Sequence, residues 1–255
     1  MVEVQNLCVR YGKTTVLHNV SATFGSGRVT GLIGPNGCGK STLLKTITGL
    51  CMPVSGRVLL EGEELSALTR RETALRVACL PQSRNVPDLT ALRMVLHGRF
   101  PHLTYPRRYR PEDCETARQA LERVGAGELA DRPLKELSGG QRQKVYLAMT
   151  LAQDTPIVLL DEPTTYLDIS GQLEILRFSR ALAQMGKTVV LVNHDLDAVL
   201  HWSDDVLLLC GGRVAASGTP EELVRSGALE RTFQVALLPA DTPGGRRYLW
   251  DFRGN

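Results

Sequence analysis

The chain has 255 residues, 43% of them hydrophobic, with 30 basic against 27 acidic residues and a formal net charge of +3. That length and apolar content can fill one large domain or two small ones. A charge so near balance, with both signs interspersed, does not point to nucleic acid as the main partner. No apolar run approaches the roughly 20 residues that span a bilayer, and Met1-Val2-Glu3-Val4-Gln5 lacks a signal peptide's basic and apolar regions, so a cytoplasmic chain is expected. Cys8, Cys38, Cys51, Cys79, Cys114 and Cys210 stand singly, with no Cys-x-x-Cys pair and no histidine at ligand spacing. A disulfide framework and structural zinc are therefore not expected.

The N-terminal segment Val2 to Val9 reads as a strand running into Arg10-Tyr11-Gly12. Tyr11 is either an ordinary half-buried strand tyrosine or an aromatic face for a base, and the residue alone favours the former. Val29 to Ile33 reads as a buried strand and Ser41 to Leu50 as a helix ending at Gly49. Between them lies Gly34-Pro35-Asn36-Gly37-Cys38-Gly39-Lys40-Ser41-Thr42, two glycines five apart followed by lysine and a hydroxyl residue. This is a phosphate-loop pattern in the strand–turn–helix context it requires. Glycines let backbone N–H groups converge on phosphate oxygens, and the next helix offers its positive end to the same anion. Lys40 suits the β- and γ-phosphates, Ser41 a Mg²⁺ ion and Thr42 an α-phosphate oxygen. The loop's positive field is expected to favour thiolate at Cys38.

Gly56 to Gly62 reads as a short strand, which with the N-terminal one makes an antiparallel sheet flanking an α/β core. Val77 to Leu80 is another buried strand, stopping at Pro81-Gln82. From about Ser83 to Glu136 no strand pattern occurs, and Ala91–His97 and Glu112–Val124 read as helices of an inserted subdomain. Pro101 to Pro111 mixes arginines and aromatics, either a solvated loop or a docking surface.

Leu137-Ser138-Gly139-Gly140-Gln141 opens a helix that continues to about residue 152. A serine and two glycines at a helix start cap the helix and also form a second anion-binding geometry. A chain unable to bring that surface and the Lys40 loop to one nucleotide would need a second copy of itself. Ile157 to Leu160 is an apolar strand ending in Asp161-Glu162, at the sheet edge where open α/β folds bind ligands. Asp161 suits Mg²⁺, and Glu162 suits a base for the attacking water. Thr188 to Val192 delivers Asn193-His194-Asp195 to the same edge, where His194 can donate to a γ-phosphate. Val206–Leu209 and Arg213–Ala216 form a hairpin around Gly211-Gly212, Thr219-Pro220-Glu221-Glu222 is a capping box, and the stretch from 241 to 255 is expected to be loosely ordered.

Taken in order and spacing, the loop at Gly34 to Thr42, Gln82, Leu137 to Gln141, Asp161-Glu162 and His194 resemble the nucleotide-binding subunit of ATP-binding cassette (ABC) transporters. The resemblance covers the chain to about Val224, and Leu-Ser-Gly-Gly-Gln is its most specific element. It implies an α/β phosphate-loop NTPase core over 1–240, with a flanking antiparallel β-sheet and an α-helical subdomain at 83–136 plus the helix to about 152. It also makes Tyr11 the adenine-stacking aromatic, Gln82 a γ-phosphate and Mg²⁺ sensor, Glu162 the general base and His194 the switch. Ser138, Gly139, Gly140 and Gln141 would meet ATP held by the opposite copy, with Asp168 communicating across the dimer. The region Gly98-Arg99-Phe100-Pro101-His102 would receive a coupling helix from a membrane permease, holding the chain at the cytoplasmic face of the membrane. An extracytoplasmic binding protein would deliver the substrate. Thr164-Thr165-Tyr166-Leu167-Asp168-Ile169 and Gly98 to Leu103 are similar to the subfamily importing ferric siderophores, haem and cobalamin, with siderophore import ranked first and a zinc or manganese importer behind. A soluble cassette ATPase would carry a long heptad insert, a second cassette or a basic extension, and none occurs in the sequence.

Overall fold

The computed structural model describes residues 1–80, 86–165, 167–242 and 245–252. In chain order the first part runs β1 (Val2–Tyr11), β2 (Thr14–Phe24), β3 (Val29–Ile33), α1 (Lys40–Ile47), β4 (Ser55–Leu60), β5 (Glu63–Glu64), α2 (Arg70–Arg76) and β6 (Val77–Leu80). Three helices follow: α3 (Ala91–Leu96), α4 (Pro111–Arg123) and α5 (Gly139–Ala152). The chain then alternates β7 (Ile157–Asp161), α6 (Ile169–Gln184), β8 (Thr188–Val192), α7 (Leu196–Trp202), β9 (Asp205–Cys210) and β10 (Arg213–Gly218). Helices α8 (Pro220–Arg225) and α9 (Ala228–Phe233) and the hairpin β11 (Val235–Thr242) and β12 (Gly245–Phe252) complete it.

The central sheet has the order β10-β9-β3-β8-β7-β6, parallel throughout except for β10. Its middle strands are continuous apolar runs because both faces are covered, as parallel sheets require. Successive residues divide between the faces. Ile157, Leu159, Val190 and Val192 join the core shared with α1 and the antiparallel sheet β2-β1-β4-β5. Val158, Leu160, Val189 and Leu191 join the core under α5 and α6 and the helical layer. A one-residue register slip would exchange these sets, so the pairing Leu32↔Val192 and Asp161↔Val192 is tightly specified. That register sets the C-terminal ends of β3, β8 and β7 side by side.

The helical layer is locked to α5. An added Cβ at Gly98 would lie 2.3 Å from the Met149 carbonyl oxygen, so only glycine permits this approach. Beyond it, Arg99 Nη1 donates to the Ala152 carbonyl at 2.9 Å, and its Nε to Asp113 Oδ1 at 3.1 Å.

The C-terminal segment differs from the sequence expectation. The stretch from 241, expected to be loosely ordered, pairs as β11–β12 in unbroken register from Val235↔Phe252 to Thr242↔Gly245. Leu237 and Tyr248 pack on the cluster of Val199, Leu208 and Leu229, and Arg247 Nη1 bonds Asp197 Oδ2 at 3.0 Å. Partial burial of Leu237 and Tyr248 against that cluster contributes to ordering the hairpin.

Candidate nucleotide site

The phosphate loop leaves β3 through three glycines with positive φ: Gly34 (148°), Gly37 (76°) and Gly39 (107°). A Cβ on Gly34 would come within 2.0 Å of the Leu209 carbonyl oxygen, and one on Gly39 within 2.5 Å of Leu17 Cδ2. Gly37 has open space around it, so its requirement is conformational alone. Pro35 and Asn36 form the bend, and the Cys38 amide returns to the Pro35 carbonyl at 3.3 Å. Lys40, 7% exposed, donates from Nζ to the carbonyls of Gly34 (2.7 Å) and Pro35 (3.2 Å). The ammonium thus closes the loop upon itself and sits where phosphate oxygens can replace those carbonyls.

Cys38 corrects the sequence expectation. Its thiol turns inward, 5% exposed, among Leu17, Leu43 and Leu209. Burial pushes its pKa up, outweighing the Lys40 charge that acts the other way. The thiol is therefore a packing group and not an activated nucleophile.

At the end of β7, Asp161 is 6% exposed and bonds the Ser41 hydroxyl. Burial raises its carboxyl above the usual range, with Ser41 opposing. Its Oδ1 is fully enclosed without a hydrogen-bond partner. An orphaned carboxylate oxygen beside a hydroxyl, with Lys40 close by, fits a hard divalent cation, so Ser41 and Asp161 are a suitable donor set for Mg²⁺. Glu162 follows in the left-handed region at φ 51°, which turns its side chain away from that of Asp161. Its amide is held by the Val192 carbonyl at 3.1 Å. A non-glycine residue held at positive φ costs about 1–3 kcal/mol, which surrounding contacts must offset.

His194, just past β8, donates from Nε2 to Glu162 Oε1, with His194 half exposed and Glu162 largely enclosed. Neighbouring Asn193 accepts from the Asp195 amide at 3.0 Å, and Asp195 caps α7. The histidine is thereby held at the sheet edge. Tyr11, 48% exposed at the end of β1, brings its hydroxyl to Thr42 and Cys51, leaving the ring open beside the loop. Arg10, just before it, is also exposed.

The structure thus brings Lys40, Ser41, Thr42, Asp161, Glu162, His194 and Tyr11 together. Other expected residues lie apart. Ser138 and Gln141 close a reciprocal capping box at the start of α5, with Gln141 N to Ser138 Oγ at 3.2 Å and Ser138 N to Gln141 Oε1 at 3.0 Å. Gly139 and Gly140 form the first turn of that helix. Asp168 caps α6 through the Gly171 amide at 2.8 Å, and that bond, with one from Ser170, lowers its pKa. Gln82 and Tyr166 lie outside the described residues. The sequence reading missed Gln143, buried in α5, which donates to the Pro163 carbonyl at 2.6 Å. In sequence it stands between Arg142 and Lys144, two residues after Gln141, and nothing there sets it apart. A cavity of about 620 Å³ between the two sheets carries Glu3 and Asp205 as its charged lining, the wrong sign for a nucleotide. No described helix is long and apolar enough to cross a membrane.

The family model for ABC transporters matches residues 17–165, spanning the phosphate loop, the α5 cap and both carboxylates. The ferric enterobactin transport ATP-binding protein FepC of Escherichia coli (strain K12) is 40% identical over 94% of this chain and 89% of its own length. A solved structure described as an inward-facing metal-chelate type ABC transporter matches with a TM-score of 0.85 at 27% identity, over 99% of this chain and 98% of that one. The dimeric bacterial ABC transporter cassette MJ0796 matches with a TM-score of 0.77 at 27% identity, over 86% of this chain and 99% of that one. The chain belongs to the ABC transporter family, as an ATP-binding ATPase cassette.

Proposed function

We propose that this chain is the ATP-hydrolysing subunit of a ferric-siderophore importer, working as a head-to-tail dimer beneath a membrane permease. The hydrolytic reading rests on the convergence of Lys40, Asp161, Glu162 and His194 on one sheet edge. Import of an iron chelate is supported by the likeness to the enterobactin protein and the metal-chelate type transporter. The dimer is supported by the likeness to a dimeric cassette.

Within the loop Gly34 to Gly39, the free amides, with those at the start of α1, cradle the phosphates; Pro35 supplies no N–H and shapes the bend, and Lys40 exchanges two carbonyls for β- and γ-oxygens. Tyr11 stacks on the adenine. Ser41 and Asp161, with Gln82, hold Mg²⁺, which when bound neutralises phosphate charge. Glu162 takes the proton of the attacking water, a role worth typically about 10²–10⁴-fold. His194 holds that carboxylate in place and donates toward the γ-phosphate as the nucleotide enters. Ser138, Gly139, Gly140 and Gln141 of a second copy close over the same phosphate, and Asp168 links the two sites. Loss of the γ-phosphate removes these contacts and lets the dimer open. The turn at 97–102 passes that motion to the permease at the cytoplasmic membrane face, and an extracytoplasmic binding protein supplies the chelate.

Affinity purification from detergent-solubilised membranes of the source cells tests this. Recovery of a polytopic permease is expected, and transport of labelled ferric siderophore by the recovered complex identifies the cargo. Transport of cobalamin or haem instead would replace the cargo. Recovery with ribosomes or DNA would replace the transporter reading itself.

A further inference from the structure

Helix α5 touches three regions at once. Its N-terminus carries the Ser138 cap, and its last turn binds the 97–102 segment through Arg99 Nη1 to Ala152 O (2.9 Å) and His102 Nε2 to Gln153 O (2.8 Å). Between these ends, Gln143 is 5% exposed and crosses to the loop after β7, donating from Nε2 to the Pro163 carbonyl at 2.6 Å. Pro163 directly follows Glu162. The bond thus ties the peptide between Pro163 and Thr164, one residue beyond the carboxylate, to α5.

Glu162 needs that anchoring more than most residues. Its φ of 51° is unfavourable for a side-chain-bearing residue, and its amide is tied to Val192 on the other side. The loop is therefore fixed at two points flanking the carboxylate: the Val192 carbonyl before it and the Gln143 amide after it. Burial makes the second tie strong, because an unpaired amide or carbonyl there would lose its water partners.

We propose that Gln143 is a positioning residue for hydrolysis: its bond to the Pro163 carbonyl holds the loop so that Glu162 faces the attacking water, and ties that geometry to the position of α5. A rigid shift of α5, pulled at its Ser138 end by a partner's nucleotide or pushed at the 97–102 end, then moves the carboxylate as well. Hydrolysis becomes conditional on both neighbours. The inference rests on Glu162 being the base.

The test uses the full chain with Gln143→Leu and Gln143→Met, each alone and combined with Glu162→Gln. ATP turnover is measured as kcat and KM, and nucleotide affinity by titration with a trinitrophenyl-ATP probe. Either Gln143 variant should lower kcat about tenfold, the factor that about 1.4 kcal/mol produces, while KM and probe affinity hold. In the Glu162→Gln background neither should lower the residual rate further, because the effect passes through that carboxylate. Full kcat in both Gln143 variants overturns the proposal. So does an equal fall with and without Glu162, or lost probe binding in both variants, since each describes a merely structural amide. Wild-type turnover by Glu162→Gln alone would instead overturn the base assignment, a distinguishable failure.

Discussion

Exchanging glycine for alanine at Gly34 and, separately, at Gly37 tests how the phosphate loop is built. Both residues have positive φ, 148° and 76°. Their surroundings differ completely. At Gly34 the new methyl group would sit 2.0 Å from the Leu209 carbonyl oxygen and 2.8 Å from Cys38 Sγ, whereas at Gly37 nothing lies within 4 Å. Gly37→Ala therefore carries only backbone strain, about 1–2 kcal/mol. Gly34→Ala adds a collision with backbone of β9, which pairs directly with β3 and cannot yield as a flexible side chain would. With overpacking at about 1–3 kcal/mol on top of the strain, a total near 3 kcal/mol follows. In a chain of this size about 1 kcal/mol shifts the melting temperature by about 2–4 °C, so Gly34→Ala should melt about 6–12 °C lower and Gly37→Ala about 2–8 °C lower. Differential scanning calorimetry of the nucleotide-free proteins reads both. Equal shifts would refute the view that the close approach at Gly34, beyond its dihedral, selects glycine.

Three further predictions concern separate groups. Tyr11→Ala should weaken ATP binding by about 1–3 kcal/mol in equilibrium titration, and unchanged affinity would remove the tyrosine from the base site. Iodoacetamide at neutral pH should label exposed Cys210 well before buried Cys38, as read by peptide mass spectrometry, and faster labelling of Cys38 would contradict its burial. Asp113 is partly desolvated, which raises its pKa, but the Arg110 amide at 3.0 Å and Arg99 at 3.1 Å outweigh this and hold it below the usual range. Its depressed folded pKa gives stability that is present above the unfolded value near 3.9 and lost as pH falls through the folded one. Asp113→Asn should therefore cost about 1.5–3 kcal/mol in denaturant titration at pH 7 and much less near pH 2; an equal loss at both would contradict an ionic contribution.

Much of this was legible because the sequence signals were local. The parallel strands of the central sheet are short apolar runs, and the glycines of the phosphate loop stand where the backbone takes positive φ. The register that sets Asp161 beside Val192 follows from those same runs. What escaped was non-local. Cys38 reads as a thiol in a positive loop, and only its packing against Leu17 and Leu209 reveals that desolvation wins. The C-terminal stretch reads as loosely ordered because Pro243-Gly244-Gly245-Arg246-Arg247 dominates its composition. Yet Leu237 and Tyr248 pack on a core cluster, and the surface they cover on α7 and α9 is invisible in sequence. Gln143 looks like one more polar helix residue until its partner, Pro163, is placed beside it. Ser138 was legible as a helix cap and caps α5 here, whereas Asp168, singled out only through the family resemblance, turns out to cap α6.

The most direct measurement of the central claim is ATP turnover by Glu162→Gln, with ATP binding followed in parallel. Amide for carboxylate keeps the shape of the side chain and its contact with His194 while removing the proton acceptor. The account predicts a fall in kcat of about 10²–10⁴-fold with ATP still bound, and accumulation of an ATP-held dimer. Hydrolysis at the wild-type rate would contradict it, and would move the base from the end of β7 to another residue.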